Sequence, residues 1–489
     1  MRLEYISKII QPLTIHGPQT AEIEGIAYDS RQVRPGYLFV ALHGQHREGA
    51  QFVEDALQRG AVAVVSEDPN GRGRRDVTYI RVEDARRALA EIACAFYGEP
   101  SEHLQMIGIT GTNGKSTTAF MVRDILKAAG RSPGLIGTIR YEIGERVIPA
   151  SRTTPEAPDL QFMLDQMVRA GCQSAVMEVS SHGLDQKRVW GIDYDVGVFT
   201  NLTQDHLDYH HTMEQYFAAK TLLFRGLGQA EKKAFAAINI DDPFGMELAN
   251  INGFSAQVVT FGTHPNADVR AEEIELTPLG SAFDVVSPWG QARVRLNLLG
   301  RFNVGNALSA VSACGPLGIE PKLMAEVLSR MTAVPGRLER IANPRGVLIF
   351  VDYAHTPDAL ANVLRTLREV TAGRLIAVFG CGGNRDRAKR PMMGAAAAAL
   401  ADYTIVTSDN PRNEDPAAIV AEIVPGFGEA DNFETEVDRE KAILKALFKA
   451  RAGDALLIAG KGHENYQEFA NTIVPFDDRE VVKRLLRNM

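Results

Sequence analysis

The chain has 489 residues, of which 45% are hydrophobic and 23% charged, and its formal net charge at pH 7 is −8. This length exceeds what one hydrophobic core supports, so it predicts about three domains. The negative charge argues against a large nucleic-acid surface, because binding to a phosphate backbone needs a basic face.

The N-terminus and the cysteines indicate the compartment. The first residues lack the apolar core and cleavage site of a secretory signal, and no apolar run approaches the roughly 20 residues of a membrane helix. The cysteines are scattered and include no C-x-x-C pair, which argues against a disulfide framework or a zinc site. We therefore expect a cytoplasmic protein without membrane insertion.

The first hundred residues read as a small α/β domain. Short apolar stretches at Tyr37–Leu42 and Ala61–Val65 precede a helical pattern over Val82–Tyr97. The segment Gly98–Glu102 reads as a linker, because glycine and proline interrupt regular structure. The first domain is therefore predicted over residues 1–100.

Beyond this linker, apolar strands alternate with helical segments, which predicts largely parallel sheets with helices on both faces. In the central part the predicted strands are Gln105–Ile109, Ser174–Met177, Asp195–Phe199 and Ala234–Ile238. After a break at residues 334–337 they are Val347–Val351, Leu375–Phe379, Thr404–Thr407 and Ala455–Ala459. We predict an α/β fold with a central domain over residues 101–336 and a C-terminal domain over residues 337–489.

The strongest local signal is the glycine-rich segment Gly108–Thr118, which lies between a predicted strand and a predicted helix. Its glycines let backbone N–H groups converge on phosphate oxygens at the helix N-terminus. Lys115 would reach the β- and γ-phosphates of ATP, and the Ser116 hydroxyl would bind Mg²⁺. Gly108 and Gly114 enclose five positions, one more than the usual spacing, so the loop is a variant.

A second glycine-rich segment, Gly380–Arg385, also follows an apolar strand. A dinucleotide-binding fingerprint would have glycine where Arg385 stands, so a dinucleotide site is the weaker alternative.

Polar residues follow two predicted strands of the central domain. Glu178 stands at the carboxyl end of its strand, where ligands gather in open α/β folds, and an exposed strand-end carboxylate is the weaker alternative. His206 and His210 stand four residues apart and would share a face of a helix. By spacing alone this pair suggests zinc or no metal, and Lys220 reads as a solvated lysine.

Taken together, these segments resemble the Mur ligases of peptidoglycan synthesis. The resemblance spans nearly the whole chain, in the order that the family has: Gly108–Thr118, Met177–Leu184, Thr200–His210, Gly300–Asn306, Pro335–Arg337 and Val351–His355. It implies an N-terminal UDP-sugar domain, a central P-loop ATPase domain with a mostly parallel sheet, and a C-terminal Rossmann-like domain that carries the incoming amino acid. It implies an ATP-dependent amide ligase that uses Mg²⁺, and we expect a monomer with small-molecule partners only.

The resemblance also implies roles for single residues. The catalytic residues would be Lys115, Lys220, Glu178 and His206. The Mg²⁺ ligands would be Ser116, Glu178, His206 and Lys220, the last as a carbamate that turns a repelling cation into an anionic oxygen ligand. The ATP contacts would be Gly111, Thr112, Asn113, Gly114, Lys115, Ser116, Thr117, Asn303 for adenine, and Arg337 and Asp352 for phosphates and ribose. The UDP-muramoyl peptide would contact Ser30, Arg31, Thr153, Thr154, Ser180, Gln186 and Arg188.

The segment Asp409–Arg412 resembles the signature of family members that add meso-diaminopimelate. Diaminopimelate carries a second carboxylate at its far end, where lysine has only an ammonium. A guanidinium binds a carboxylate through two parallel hydrogen bonds, and leaving Arg412 unpaired would cost about 10²-fold in discrimination. Without the family, this segment reads as a turn. The other predicted amino-acid contacts are Arg385, Asp409, Asn410, Gly460 and Glu464, the last suited to an ammonium.

The resemblance implies a reaction with two steps. The γ-phosphoryl group of ATP moves to the D-glutamate side-chain carboxylate of UDP-MurNAc-L-Ala-D-Glu, and the amine of meso-diaminopimelate attacks the acyl phosphate. Three alternatives remain: a folate polyglutamylating ligase, which typically has Gly-Lys-Gly-Ser in the loop; another Mur ligase; and a nucleotide switch that hydrolyses ATP slowly.

Overall fold

The computed structural model describes residues 1–43, 49–68, 76–230, 232–277, 279–470 and 472–489. They form three α/β units, each built on its own large sheet, so the predicted fold class is confirmed. The predicted domain boundaries near residues 101 and 336 fall between these sheets. The exact residues at which the domains begin and end stay predictions. Among the described residues, no helix is long and apolar enough to cross a bilayer.

The N-terminal unit has a five-stranded sheet in the order β1-β5-β4-β3-β2, in which β1 alone is antiparallel to its neighbour. Its strands are β1 Thr14–His16, β2 Gly25–Ala27, β3 Tyr37–Val40, β4 Ala63–Ser66 and β5 Thr78–Arg81, and its helices are α1 Leu3–Ile9, α2 Val53–Gln58 and α3 Ala85–Phe96. Alternate residues of β3 face opposite sides, as strand geometry requires. Leu38 packs in the cluster that includes α1 and α3, whereas Phe39 packs in the cluster that includes α2.

The central unit has an eleven-stranded sheet in the order β16-β15-β14-β13-β12-β11-β6-β10-β7-β8-β9. Its strands are β6 Gln105–Thr110, β7 Pro133–Ile136, β8 Arg140–Ile143, β9 Arg146–Pro149, β10 Ser174–Glu178, β11 Val196–Phe199, β12 Phe235–Asn239, β13 Gln257–Gly262, β14 Val269–Thr277, β15 Gly280–Ser287 and β16 Gly290–Leu296. Its helices are α4 Lys115–Ala128, α5 Ala157–Arg169, α6 Ser181–Asp185, α7 Leu207–His210, α8 Met213–Gly226, α9 Pro243–Ala249, α10 Arg301–Cys314 and α11 Pro321–Arg330. The seven strands from β14 to β7 are parallel, and antiparallel strands extend both edges.

Helices cover both faces of this parallel region. One face packs against α4, α10 and α11, and the other against α5 and α8. Because neighbouring strands are parallel, the carboxyl ends of β6, β10 and β11 meet at one edge of the sheet, and the segments that follow them come together there.

The C-terminal unit has a six-stranded sheet in the order β17-β18-β22-β19-β20-β21, parallel except for β17, and a separate hairpin formed by β23 and β24. Its strands are β17 Glu339–Ile341, β18 Leu348–Asp352, β19 Leu375–Phe379, β20 Tyr403–Val406, β21 Phe433–Thr435, β22 Ala455–Ala459, β23 Tyr466–Phe469 and β24 Thr472–Pro475. Its helices are α12 Pro357–Val370, α13 Lys389–Leu400, α14 Pro416–Ile423, α15 Arg439–Lys449 and α16 Asp478–Arg487. The helices α12 to α14 pack on one face of the sheet, and α15 and α16 pack on the other.

A buried ion pair joins α15 to α16. The side chains of Arg439 and Asp478 are both 0% exposed, and two guanidinium nitrogens donate to the carboxylate. Asp478→Ala should lower the free energy of unfolding by about 3–5 kcal/mol, because it leaves an unpaired buried guanidinium. Urea unfolding followed by circular dichroism would measure this change. Glu480→Ala is the control: Glu480 is exposed on the same helix, so a change within about 0.5 kcal/mol is expected. Equal effects would contradict the prediction.

Candidate functional site

The predicted phosphate-binding loop connects β6 to α4, whose first residue is Lys115. Gly111 and Gly114 have φ of 145° and 87°, which an L side chain rarely adopts. A Cβ on Gly111 would lie 1.9 Å from Thr200 Oγ1, and one on Gly114 would lie 2.3 Å from Asn306 Oδ1. The two glycines are therefore required by backbone conformation and by close packing.

The segment after β11 holds this loop in place. Asn113 N donates to Asn201 Oδ1 at 2.8 Å, and Thr112 Oγ1 accepts a hydrogen bond from Thr203 N at 3.0 Å. Thr117 is buried in the first turn of α4. The structure thus brings the predicted loop residues together and adds supporting polar groups from residues 200–203.

The side-chain nitrogens of two lysines converge on one backbone oxygen of the loop. Lys115 Nζ and Lys220 Nζ each lie 2.9 Å from Gly111 O. The two Nζ atoms are therefore separated by no more than twice the distance that each has to Gly111 O. Burial, and then the charge of Lys115, hold the pKa of Lys220 well below its ordinary value. Lys220 is 1% exposed, so the interpretation as a solvated lysine is wrong.

Glu178 ends β10 within this site and is 1% exposed, which rules out the exposed strand-end interpretation. Its Oε2 accepts hydrogen bonds from Ser116 Oγ and Thr138 Oγ1, both at 3.0 Å. Its Oε1 accepts from Thr138 N at 2.8 Å. The carboxylate is therefore oriented by the phosphate loop on one side and by the segment after β7 on the other.

The two histidines do not share a face of a longer helix. His206 precedes the single-turn helix α7 and has φ of 54°, whereas His210 ends that helix and is buried. Both rings contact the ring of His182, with centroids 4.9 Å and 5.4 Å from its centroid. Burial is the largest cause that lowers the pKa of His206 to about 4, so its imidazole is neutral at pH 7.

The donor set at this edge suits a hard cation. Ser116 Oγ and Glu178 Oε2 lie 3.0 Å apart and are oxygen donors of the kind that Mg²⁺ prefers. A neutral imidazole at His206 is compatible with metal binding. Lys220 fits such a set only if its amine becomes anionic, since an ammonium repels the metal. Among the described residues, no group of three or more His, Cys, Asp or Glu side chains is placed to hold a metal ion, so a metal site here would need Lys220 as an additional ligand.

The C-terminal unit reaches the phosphate loop through Arg337. Its Nη2 donates to Ser116 Oγ at 3.1 Å, and its guanidinium lies 4.8 Å from the ring centroid of Tyr353. Asp352, predicted to contact ATP, accepts hydrogen bonds from Leu338 N and Ala354 N, and burial raises its pKa. The Asp352 carboxylate therefore holds the backbone of Leu338, the residue that follows Arg337.

Asn303 is buried at the start of α10, next to the loop. Its Nδ2 donates to Leu299 O at 2.8 Å, and its Oδ1 accepts from Asn306 Nδ2 at 3.0 Å. Asn306 in turn packs against Gly114, so the Asn306 side chain links Asn303 to the predicted phosphate loop.

Five of the predicted muramoyl-peptide contacts cluster beside Glu178. Thr153 Oγ1 lies 3.0 Å from Thr138 Oγ1, and Thr154 Oγ1 donates to Glu178 O at 2.9 Å and accepts from Ser180 N at 3.0 Å. Arg188 then joins this cluster, donating to Thr154 O at 2.9 Å and to Gln186 Oε1 at 2.6 Å.

The remaining two predicted contacts lie in the N-terminal unit. Ser30 is buried, and Arg31 is exposed and paired with Asp29 through Nε and Nη2. The two units touch where Tyr28 OH donates to Asp159 Oδ2 at 2.6 Å.

The predicted amino-acid site lies beyond the carboxyl ends of β19, β20 and β22. Asn410 Nδ2 donates to Glu464 Oε2 at 2.8 Å, and the fully buried Lys461 Nζ donates to both side chains, at 3.0 Å to Asn410 Oδ1 and 3.1 Å to Glu464 Oε2. Arg412 Nε donates to Glu468 Oε2 at 2.9 Å, and its Nη1 donates to Gly383 O at 2.8 Å.

Asp409, Gly460 and Arg385 complete this group. Asp409 Oδ2 is buried without a hydrogen-bond partner among the described residues, and a Cβ on Gly460 would lie 2.5 Å from it. Arg385 is exposed, and its Cγ and Arg412 Nη1 would lie 3.8 Å and 3.0 Å from a Cβ on Gly382.

The glycine-rich segment Gly380–Arg385 does not open a helix, since α13 begins only at Lys389. A Cβ on Gly380 would lie 2.2 Å from Thr407 O, and one on Gly383 would lie 1.9 Å from Pro411 O. Close packing against the segment after β20 accounts for these glycines and disfavours the dinucleotide alternative.

Sequence reasoning missed three polar residues of the site: Thr138, Lys461 and Glu468. Lys461 stands next to the predicted Gly460, so a lysine at the end of a buried strand was a usable signal. Thr138 and Glu468 carried none, because each acts through a partner distant in the chain.

The chain is similar to Mur ligases along its whole length. Three family models match it: the Mur ligase middle domain at residues 109–314, the Mur ligase glutamate ligase domain at residues 336–462, and the Mur ligase family catalytic domain at residues 22–97. A UDP-N-acetylmuramoyl-L-alanyl-D-glutamate–2,6-diaminopimelate ligase of Geobacter metallireducens is 46% identical over 508 residues, covering 100% of this chain and 99% of its own. A protein of the same name from Geobacillus thermodenitrificans is 44% identical, covering 100% and 99%.

Solved structures agree with this similarity. The structure of a protein with that same name matches with a TM-score of 0.71 and 35% identity, covering 100% of this chain and 99% of its own. The MurF ligase from Thermotoga maritima in complex with ADP is 20% identical, with a TM-score of 0.63, and covers 96% of this chain and 97% of its own, so it shares the fold.

Proposed function

The chain belongs to the Mur ligase family, and we propose that it is an ATP-dependent ligase that joins meso-2,6-diaminopimelate to the D-glutamate side-chain carboxylate of UDP-MurNAc-L-Ala-D-Glu. Relatives that match over their full length are named for these substrates. The observation that carries the proposal in this chain is the position of Arg412. Its guanidinium donates to Glu468 Oε2 and to Gly383 O, and Asn410, which contacts Glu464, precedes it by two residues. From this position it could bind the second carboxylate of diaminopimelate.

The first chemical step is assigned to the phosphate loop. Lys115 and the loop N–H groups would hold the β- and γ-phosphates, and Arg337 would approach them from the C-terminal unit. Ser116, Glu178, His206 and a Lys220 carbamate would hold Mg²⁺, which when bound neutralises negative charge on the phosphates. Thr153, Thr154, Ser180, Gln186 and Arg188 would place the glutamate carboxylate in line with the γ-phosphate, with Ser30 and Arg31 binding the uridine end.

The second step is assigned to the C-terminal unit. The acyl phosphate formed in the first step is attacked by the amine of diaminopimelate, and phosphate leaves. Arg385, Asp409, Asn410, Arg412, Gly460 and Glu464 would orient this amine. Asn303, Arg337 and Asp352 would complete the nucleotide site. Since each of the three domains would bring one substrate to the site, we also propose that the domains close during the catalytic cycle. We further propose that the protein is cytoplasmic and monomeric.

Phosphate release tests the proposed reaction directly. With ATP, Mg²⁺ and UDP-MurNAc-L-Ala-D-Glu, release should depend on meso-diaminopimelate and be weak with L-lysine. Equal rates with the two amino acids would keep a ligase but contradict the specificity. Release that neither amino acid stimulates would favour another Mur ligase activity or a nucleotide switch.

Arg412→Ala should raise the KM for meso-diaminopimelate by about 10²-fold, because one bidentate charged contact is lost. The KM for ATP should change little, since Arg412 lies outside the phosphate loop. Steady-state kinetics with each substrate varied in turn would measure both values. Arg487→Ala, at an exposed arginine of the same unit, is the matched control. A similar rise in both KM values would place Arg412 outside the amino-acid site.

A further inference from the structure

We propose that Glu468 is a specificity-determining residue that receives the distal ammonium of the amino-acid substrate, so that Arg412 and Glu468 together recognise a zwitterionic centre. The inference rests on the proposed function and deepens it. At the far end of diaminopimelate, one carbon carries both a carboxylate and an ammonium. The ion pair Arg412–Glu468 presents the complementary charges side by side, with Arg412 Nε 2.9 Å from Glu468 Oε2.

The hairpin that carries Glu468 is fixed to the amino-acid site through the backbone. Arg412 N donates to Glu468 O at 2.9 Å, and Glu468 N donates to Asn410 Oδ1 at 3.0 Å. Phe469 forms a bridge with Arg412 beside these contacts. The position of the carboxylate is therefore set by the segment Asp409–Arg412 itself, although Glu468 lies 56 residues further along the chain than Arg412.

The guanidinium keeps enough donors to bind a substrate carboxylate while Glu468 stays in place. An arginine has five N–H donors. The described contacts use one on Nε, toward Glu468, and one on Nη1, toward Gly383 O. Both donors of Nη2 and the second donor of Nη1 remain, which is sufficient for a two-point contact with a carboxylate. The two side chains are 23% and 34% exposed, so the pair is accessible to a small ligand.

Charge compensation distinguishes Glu468 from Glu464. Glu464 accepts a hydrogen bond from the ammonium of Lys461, which is 0% exposed, so its charge is balanced within the protein. In the part of the chain that the structure describes, the ion-pair partner of Glu468 is Arg412. When a substrate carboxylate also binds Arg412, one guanidinium faces two carboxylates, that of Glu468 and that of the substrate. The distal ammonium of the substrate then supplies the second positive charge.

This arrangement predicts two separate discriminations. Arg412 disfavours lysine, which lacks the distal carboxylate. Glu468 disfavours 2-aminopimelate, which has the distal carboxylate but no distal ammonium, because two carboxylates would then share one guanidinium. A site that contained Arg412 alone would reject lysine and accept 2-aminopimelate.

The test compares kcat/KM for meso-diaminopimelate, L-lysine and 2-aminopimelate in the full-length chain and in Glu468→Gln. Glutamine retains an oxygen acceptor for Arg412 Nε and removes only the charge. The preference for diaminopimelate over 2-aminopimelate should fall by roughly 10- to 100-fold, while the preference over lysine should change less than threefold. Glu468→Asp should restore part of the first preference. Glu480→Gln, at an exposed glutamate of α16, should leave both preferences unchanged.

Each outcome decides between the alternatives. An unchanged preference over 2-aminopimelate in Glu468→Gln would overturn the inference while the proposed function stands. Equal losses of both preferences would also overturn it, because Glu468 would then act only by positioning Arg412. If wild-type phosphate release responds to none of the three amino acids, the proposed function fails, and the inference fails with it. The KM for ATP, unchanged in Glu468→Gln, would show that the variant is folded.

Discussion

Lys115→Ala should lower ATP-dependent phosphate release by about 10³-fold, because the ammonium that would stabilise charge on the β- and γ-phosphates is removed. In this structure Lys115 Nζ donates to Gly111 O and Thr112 O, each at 2.9 Å, so it bridges two carbonyl groups of the loop. The loss should appear in kcat at saturating substrates, measured by coupled release of phosphate.

The fold should tolerate this substitution. Burial lowers the pKa of Lys115, which shows that the protein pays a desolvation cost for a charge at this position. Removing the side chain removes this cost, so the thermal midpoint should not fall. Lys127→Ala, at an exposed lysine of the same helix, is the matched control and should retain activity. Turnover retained by Lys115→Ala would refute the assignment of the loop.

Most of the buried strands could be predicted from the sequence almost to the residue, but the parallel strands Pro133–Ile136 and Gln257–Gly262 were not predicted. Leu375–Phe379 was predicted with the bounds that the structure has, and the strand predicted over Ser174–Met177 extends one residue further, to Glu178. Strands of a parallel sheet are buried on both faces and read as continuous apolar runs. The antiparallel extension over Val269–Leu296 and the hairpin over Tyr466–Pro475 were not predicted. Their partly exposed strands mix polar and apolar residues, and their identity depends on pairing between strands.

The candidate site divides in a similar way. The prediction of a phosphate loop rests on the sequence pattern, in which glycines and Lys115-Ser116 follow a predicted strand. The roles predicted for Glu178 and Lys220 came from the resemblance to a family, since neither burial nor a shared oxygen can be read from a sequence. Thr138 and Glu468 became visible only in three dimensions, where each meets a side chain far away in the chain.

Lys220→Ala should lower kcat by about 10²- to 10³-fold, and short carboxylates such as formate or acetate should restore part of it. Carbamate formation joins the neutral amine to the carbon of CO₂ and releases one proton, so it requires an unprotonated lysine. The structure provides that condition: burial and Lys115 lower the pKa of Lys220, which is 1% exposed. The product would carry an anionic oxygen donor to a site where the ammonium would repel Mg²⁺.

The rescue should be specific to this position. Lys115→Ala should gain nothing from added carboxylate, because the group it lacks is a cation, and this variant is therefore the matched control. In parallel, ¹³C-labelled bicarbonate should give a carbamate NMR signal in the wild-type chain that disappears in Lys220→Ala. Absence of both rescue and signal, in a variant with a normal thermal midpoint, would contradict the carbamate. Lys220 would then act as a neutral amine that holds Gly111 O, and it would supply no negative charge to the proposed metal site.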